Sequence, residues 1–344
     1  MSFNDYIIRS RAPLRISFAG GGTDVSPYFE DHGGAVLNAT INRYTYVTIV
    51  PRADQLIEIK SLDYDVTFKY NIERGTKSNG QLDLVKSAID KFRDRFGLDM
   101  GFKLYLQSDA PPGSGLGSSS TLVVAIARAF YEMLRIPFTL YELAELSYEI
   151  ERIDSGLPGG KQDQYAATFG GINFIEFRHD ATIVNPLKIK KSTLYELECN
   201  LVLANIGLTR LSGKIIDRQV DNYKRGEKNA VKAMHKIKEM AYDMKNLLLM
   251  DNLNEFGRML DREWNEKKKM AAGISNEKID NIYRQAIKAG ALGGKISGAG
   301  GGGFILFYVN PFDKMNLIKK LTYLGLQVIP FSFVDEGASA WRTR

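Results

Sequence analysis

The chain has 344 residues, 44% of them hydrophobic and 25% charged, with a net charge of +6 at neutral pH. That composition supports a sizeable core and two domains, and it excludes a disordered or fibrous chain. The single cysteine, Cys199, excludes an internal disulfide, and no apolar run reaches the length of a membrane span.

The N-terminal stretch "MSFNDYIIRSRAPLRISFAGGG" lacks the basic and then apolar pattern of a secretory signal, so a cytoplasmic protein without a membrane partner is expected. Alternating apolar positions predict strands at 44–50, 56–62, 65–70 and 102–107. Helices are predicted at about 118–134 and 139–153, followed by a strand at 171–177. A shift in composition near residue 180 predicts two domains, 1–180 and 181–344. Beyond it, after a strand at 201–207, apolar residues recur with helical period over roughly 212–249, 253–267 and 276–289. A glycine hairpin, a helix near 311–324 and a strand over 327–334 complete the pattern. Acidic and basic residues interleave, as in "REWNEKKKMAAGISNEK" at 262–278, which reads as solvated helix surface and gives no nucleic-acid patch. A modest positive excess suits a small anionic substrate.

The densest signal is "PPGSGLGSSST" at 111–121, between the strand at 102–107 and the helix from 118. Gly113, Gly115 and Gly117 remove side chains where the backbone must approach something closely, and a helix that starts at Ser118 presents first-turn amides with no internal partner. Such amides bind phosphate. The hydroxyls of Ser118, Ser119 and Ser120 either cap that helix or reach a cation beside the phosphates. "GALGGKIS" and "LSGKI" lack the Walker spacing. Gly298, Gly300 and Gly303 form a GxGxxG, but "FILFYV" follows as a strand pattern where a dinucleotide fingerprint needs a helix. Two glycine loops therefore remain, at 111–121 and 297–303.

A second signal lies on the helix from 140, whose apolar stripe runs through Leu140, Leu143, Ala144, Ser147 and Ile150 and continues onto Glu151 and Asp154. Glu142, Glu145, Glu149 and Arg152 fall on the opposite, solvated face. A carboxylate on an inward stripe needs a cation, which makes Glu151 either a metal ligand or half of a buried pair with Arg or Lys.

"PPGSGLGSSST", the early "RAPLRISFAGGGTDVSPYFEDHGGAVLNATIN" and the late "KISGAGGGGF" resemble, in order, the phosphate loop, first motif and third motif of the GHMP kinases, the superfamily of galactokinase, homoserine kinase and mevalonate kinase. The resemblance implies an α+β fold of two domains, an N-terminal ribosomal protein S5 domain 2-like unit and a C-terminal GHMP α+β unit, with ATP and magnesium (Mg2+) between them. It implies that ATP phosphates lie on Pro112, Gly113, Ser114, Gly115, Leu116, Gly117, Ser118 and Ser119, and that Ser119 and Glu151 hold magnesium. "GGKQDQYAATFGG" at 159–171 resembles the segment carrying the catalytic aspartate, here Asp163, which would accept the proton of the acceptor hydroxyl. The same Asp also suits a cap for the short helix that follows. Arg15 matches the basic residue of the motif "APGR", with Leu14 in place of its glycine, and would draw charge from the transferring group.

"AGGGTD" at 19–24 resembles the branch that includes D-glycero-D-manno-heptose 7-phosphate kinases and, more distantly, fucokinases. That likeness implies an acceptor site at Gly21, Gly22, Thr23, Asp24, Gly300 and Gly301, with Lys161 and Arg210, and behind them Lys214, as cations for a sugar phosphate. It implies phosphorylation of an anomeric hydroxyl to a 1,7-bisphosphate for nucleotide-activated heptose synthesis, by a monomer or homodimer whose ligands are sugar phosphate and ATP. A kinase of another sugar such as fucose or galactose, and a non-catalytic sugar sensor, fit the same fold. His32, His179 and His235 are far apart in sequence and read as surface or structural residues.

Overall fold

The computed structural model describes residues 6–63, 65–72, 80–111, 113–207 and 212–344. Strand β1 (Ile7–Ala19) alternates between buried and partly exposed residues at first and is buried at every position from Ala12 onward. A strand buried on both faces lies in the middle of a molecule, and β1 pairs on one edge with the long β2 (Gly34–Pro51), across the short helix α1 (Tyr28–His32). The two halves of β2 take different partners on the other edge. Its start pairs with β6 (Ile172–Phe177) and its end with β5 (Phe102–Ser108). Strand β5 lies parallel to β3 (Leu56–Ser61), which pairs with β4 (Val66–Asn71), and β6 pairs with β7 (Thr182–Pro186). The parallel pair needs a crossover, and α2 (Asp83–Phe96) lies between its strands in the chain. Strand β12 (Ser339–Thr343) returns to the free edge of β1.

A second, four-stranded sheet has the order β11 (Gln327–Ile329), β8 (Leu201–Asn205), β10 (Phe304–Val309), β9 (Ala291–Ile296). One core joins α2, α3 (Ser118–Leu134) and α4 (Leu140–Tyr148) to the first sheet. A second joins the inner residues of β1 and β2, including Leu14, Ile16 and Phe18, to α8 (Lys228–Leu249), α9 (Leu253–Lys267) and strands β8 and β10. A third packs α10 (Glu277–Lys288) and α11 (Pro311–Tyr323) on the smaller sheet.

The helix over 118–134 forms as its apolar period predicts, and the glycine hairpin forms between antiparallel β9 and β10. Several elements differ from the sequence pattern. The helical run over 212–249 breaks into α7 (Ser212–Lys224) and α8, because Gly226 takes φ +68 and the amides of Arg225, Gly226 and Glu227 turn back onto the end of α7. The strand over 327–334 stops at Ile329, since Pro330 has no amide to donate, and Phe333 instead bridges to Ile41 of the other sheet. Helix α2 and helix α6 (Lys191–Asn200) were not expected. His32 and His235 meet edge to face with ring centroids 4.8 Å apart, and the Tyr28 hydroxyl lies 2.9 Å from His235 Nδ1. Burial pushes the His235 pKa down, and His32 and Lys238 add to the effect.

Nothing lies within 4 Å of a Cβ placed on Gly226. Gly226→Ala should therefore cost only backbone strain, about 1–2 kcal/mol. Urea unfolding should show a lower midpoint with an unchanged slope.

Candidate active site

Where α3 begins, three glycines hold left-handed backbone in quick succession: Gly113 at φ +75, Gly115 at +78 and Gly117 at +80. Gly117 is the residue before the helix and no side chain caps it, so the serine hydroxyls leave the first-turn amides to another acceptor. Ser114 Oγ lies 2.8 Å from Ser118 Oγ, which fixes the loop internally. Leu116 is buried in the core and its carbonyl accepts from the Arg15 amide at 3.1 Å. Pro112 lies outside the described residues.

The two glycine loops meet. A Cβ on Gly115 would come within 2.4 Å of the Ser297 carbonyl oxygen, and one on Gly303 within 2.2 Å of the Ser114 oxygen. The Phe304 amide donates to that same Ser114 carbonyl at 2.9 Å. Gly300 and Gly301 face away from this contact onto Ile274, whose carbonyl accepts from the Gly301 amide at 2.8 Å.

Asp163 stands beside the phosphate loop, its carboxyl 3.2 Å from where a Cβ of Gly117 would be. It lies in the first turn of α5 (Gln162–Phe169) and takes a two-pronged pairing from Arg15, Nε to Oδ1 and Nη2 to Oδ2, both at 2.8 Å. Arg15 Nη1 also donates to the Gly115 carbonyl at 2.6 Å, so one buried guanidinium spans the carboxylate and the loop. Leu14, the departure from the family motif, is a core residue at a register shift between β1 and β2. Asp163 does not cap α5. Asp24 does so from a distance, accepting from the Gln162 amide at 3.0 Å and the Gly22 amide at 2.9 Å, which ties the 20–24 turn to the helix carrying Asp163. Thr23 is fully buried, with its hydroxyl donating to the Gly20 carbonyl at 2.8 Å and accepting from the Ala35 amide at 3.1 Å.

Glu151 is fully buried in a π-helical turn (Glu149–Asp154) that continues α4. It accepts from the exposed Ser119 hydroxyl at 2.6 Å and from Gln164 Nε2 at 2.7 Å. Arg152 also reaches it at 3.2 Å, so the ion pair and the contact to Ser119 exist together. The regular helical stripe misplaces three residues. Arg152, expected in solvent, folds inward onto Ser120 and the carbonyls of Leu157, Pro158 and Gly160. Leu140 and Asp154, expected inside, are exposed. The wider π turn brings consecutive residues 151 and 152 to one side.

A donor set of one hydroxyl and one carboxylate suits magnesium, which keeps several waters and takes few protein ligands. Because Ser119 donates its proton to Glu151, its lone pairs point outward, so these residues fit the ion.

Lys161 is held by Glu145 at 2.9 Å and lies over the Tyr148 ring. Lys214 is exposed on α7, and Arg210 lies outside the described residues. The sequence pattern missed a buried cluster. Glu263, Lys267 and Lys295 were expected at the surface or not weighed, yet all three are buried. Glu263 and Lys267, four residues apart on α9, share its inward face with Leu260 and Trp264. Lys295 donates to Glu263 at 2.7 Å and to the Phe18 carbonyl at 3.1 Å, and Lys267 donates to the Gly21 carbonyl at 3.2 Å. Burial pushes Lys267 down to about 8, with repulsion from Lys295 adding to it and Glu263 and Asp24 opposing it. Lys295 is pushed down for the same first reason, burial.

The models of the GHMP kinases N-terminal and C-terminal domains match residues 83–171 and 243–322. The chain is 43% identical, over 97% of its own length and 99% of the relative's, to a D-glycero-alpha-D-manno-heptose 7-phosphate kinase of Campylobacter jejuni. A crystal structure described as a D-glycero-D-manno-heptose 1-phosphate kinase from Bacteriodes thetaiotaomicron superposes with a TM-score of 0.82 at 42% identity, covering 98% of this chain and 99% of that one. A Lactococcus lactis galactokinase bound to galactose shares the fold, with a TM-score of 0.80 at 20% identity over 98% of this chain and 95% of that one. With matching motifs, matching domains and near full-length similarity, the chain belongs to the GHMP kinase family and is an ATP-dependent sugar kinase of two-domain α+β fold.

Proposed function

We propose that the protein transfers the γ-phosphoryl group of ATP to the anomeric hydroxyl of D-glycero-D-manno-heptose 7-phosphate, giving the 1,7-bisphosphate used in nucleotide-activated heptose synthesis. The observation that carries the chemistry is the Arg15–Asp163 pair at 2.8 Å against Gly117 of the phosphate loop. The acceptor itself is supported by the similarity to the Campylobacter jejuni heptose 7-phosphate kinase. The chain divides near residue 180, with β7 and β12 joining the larger sheet from beyond that point.

The acceptor hydroxyl oxygen forms a bond to the γ-phosphorus while the bond from that phosphorus to the β,γ-bridging oxygen breaks. ADP leaves and the hydroxyl proton passes to Asp163. Each Asp163 oxygen keeps a lone pair beyond the one Arg15 uses, so the pair orients the base without occupying it. An anomeric hydroxyl is more acidic than an ordinary alcohol, which lowers the demand on that base. The loop 113–119 holds the β- and γ-phosphates by its amides. Ser119 and Glu151 would hold magnesium, which supplies charge neutralisation between the phosphates. The turn 20–24 with Gly300 and Gly301 receives the sugar, and Lys161, Arg210 or Lys214 clamps its existing phosphate.

Asp163→Asn keeps the size and one hydrogen bond but removes the proton acceptor, and turnover should fall on the order of 10²-fold or more with the KM for ATP little changed. Near wild-type turnover would take the base role from Asp163. The acceptor is tested by coupled ADP release with heptose 7-phosphate, unphosphorylated heptose, fucose and galactose at matched concentrations. The sugar phosphate should lead, and equal or faster turnover of a neutral sugar would refute it while leaving the kinase class intact.

A further inference from the structure

The turn 20–24 is held from both halves of the molecule. From one side Asp24 locks it to α5 through the Gly22 and Gln162 amides. From the other, Gln219 Nε2 of α7 donates to the Gly22 carbonyl at 3.2 Å and Lys267 Nζ of α9 donates to the Gly21 carbonyl at 3.2 Å. The Lys267 contact is unusual in its chemistry. An ammonium has three protons, and this one is almost wholly buried with a single hydrogen bond to the protein among the described residues. Its position is tight, because a Cβ on Gly21 would lie 3.1 Å from Nζ and 3.5 Å from Ser17 Oγ. Ser17 Oγ is itself buried with no partner among the described residues.

Resting on the acceptor role given above to the 20–24 turn, we propose that Lys267 is a positioning residue for sugar binding, which sets that turn through the Gly21 carbonyl. The charged form matters because a hydrogen bond from an ammonium is roughly twice as strong as one from a neutral donor. The groups that face Lys267 are Glu263 on its own helix, Lys295 on β9, Asp24 on the turn and Arg15 on β1. Burial is the first cause that pushes the proton off, the two cations add to it, and the carboxylates oppose them. With Lys267 at about 8, the ammonium is present at neutral pH and is lost as pH rises through that value. Hold on the turn should weaken over the same interval.

The test compares the full-length enzyme with Lys267→Met, Lys267→Arg, Gly21→Ala and Asp24→Asn, using heptose 7-phosphate and ATP. Lys267→Met should raise the KM for the sugar about tenfold while kcat and the KM for ATP stay within about twofold, the size expected for one charged hydrogen bond. Amide exchange in peptides covering residues 20–24 should quicken at pH 7. Lys267→Arg should recover the KM, and it should hold it at alkaline pH where the wild type loses it, because arginine keeps its proton. Gly21→Ala, whose φ is ordinary, should displace the ammonium and raise the sugar KM with the charge still present. An unchanged sugar KM with unchanged exchange, or an equal rise in both KM values, overturns the inference and leaves the acceptor site standing. If exchange quickens but neither Lys267→Met nor Asp24→Asn alters the sugar KM, the turn is not the acceptor site, and both readings fall together.

Discussion

The active site depends on two stretches of backbone lying directly on one another. Residues 113–117 precede a helix in one half of the chain, and residues 297–303 join two strands in the other. Where they touch, no atom larger than hydrogen fits at Gly115 or Gly303. The hydrogen bond from the Phe304 amide to the Ser114 carbonyl then fixes the hairpin relative to the phosphate loop. Glycine is needed here for space as much as for its left-handed φ, and the two demands together explain why both loops are so rich in it. Bulk at the contact would separate the loop before α3 from the sheet that supports it.

Around that contact the carboxylates are matched with cations one by one. Arg15 serves Asp163, Arg152 serves Glu151, and Lys295 serves Glu263. Buried pairs of this kind add little net stability, since desolvation offsets most of the attraction. What they provide is placement. A carboxylate held at two points by a guanidinium cannot swing, and a fixed dipole costs no reorganisation when charge develops in the transition state. Asp24 works in the same way with amides, joining the 20–24 turn to the first turn of α5, one residue from Asp163.

Much of this was legible in the sequence, and the exceptions have physical causes. Glycine spacing at 113, 115 and 117 marked the tight turn before α3 because left-handed backbone is a local property of the chain. Glu151 was visible because an apolar stripe ran onto carboxylates, of which Glu151 is buried and Asp154 is not. Arg152 was misplaced because the stripe was projected on a regular helix, and the π turn at 149–154 has no clear local signature. Helix α2 was readable and missed: Val85, Ala88, Ile89 and Phe92 form an apolar stripe at helical spacing. Lys267 continues the stripe Phe256, Leu260, Glu263 and Trp264 at helical spacing and was also missed. Within "EWNEKKK" it looks like its half-buried neighbour Lys268 and its exposed neighbour Lys269, and the packing of α9 on β9 and β1 sets it apart. The fate of a charge on an amphipathic helix depends on what covers the helix, which is nonlocal information.

Strand β12 carries a consequence for how the molecule is made. It pairs with β1 in a register that joins Ile7 to Thr343. Until those distant residues emerge, the outer edge of β1 presents unpaired amides and carbonyls, which are a template for another strand. At a synthesis rate of about 5–20 residues per second, the edge stays open for roughly fifteen seconds to a minute. The strand that carries Arg15 is thus completed only late in synthesis, and the nascent chain must rely on its own helices or on chaperones to keep that edge from pairing elsewhere.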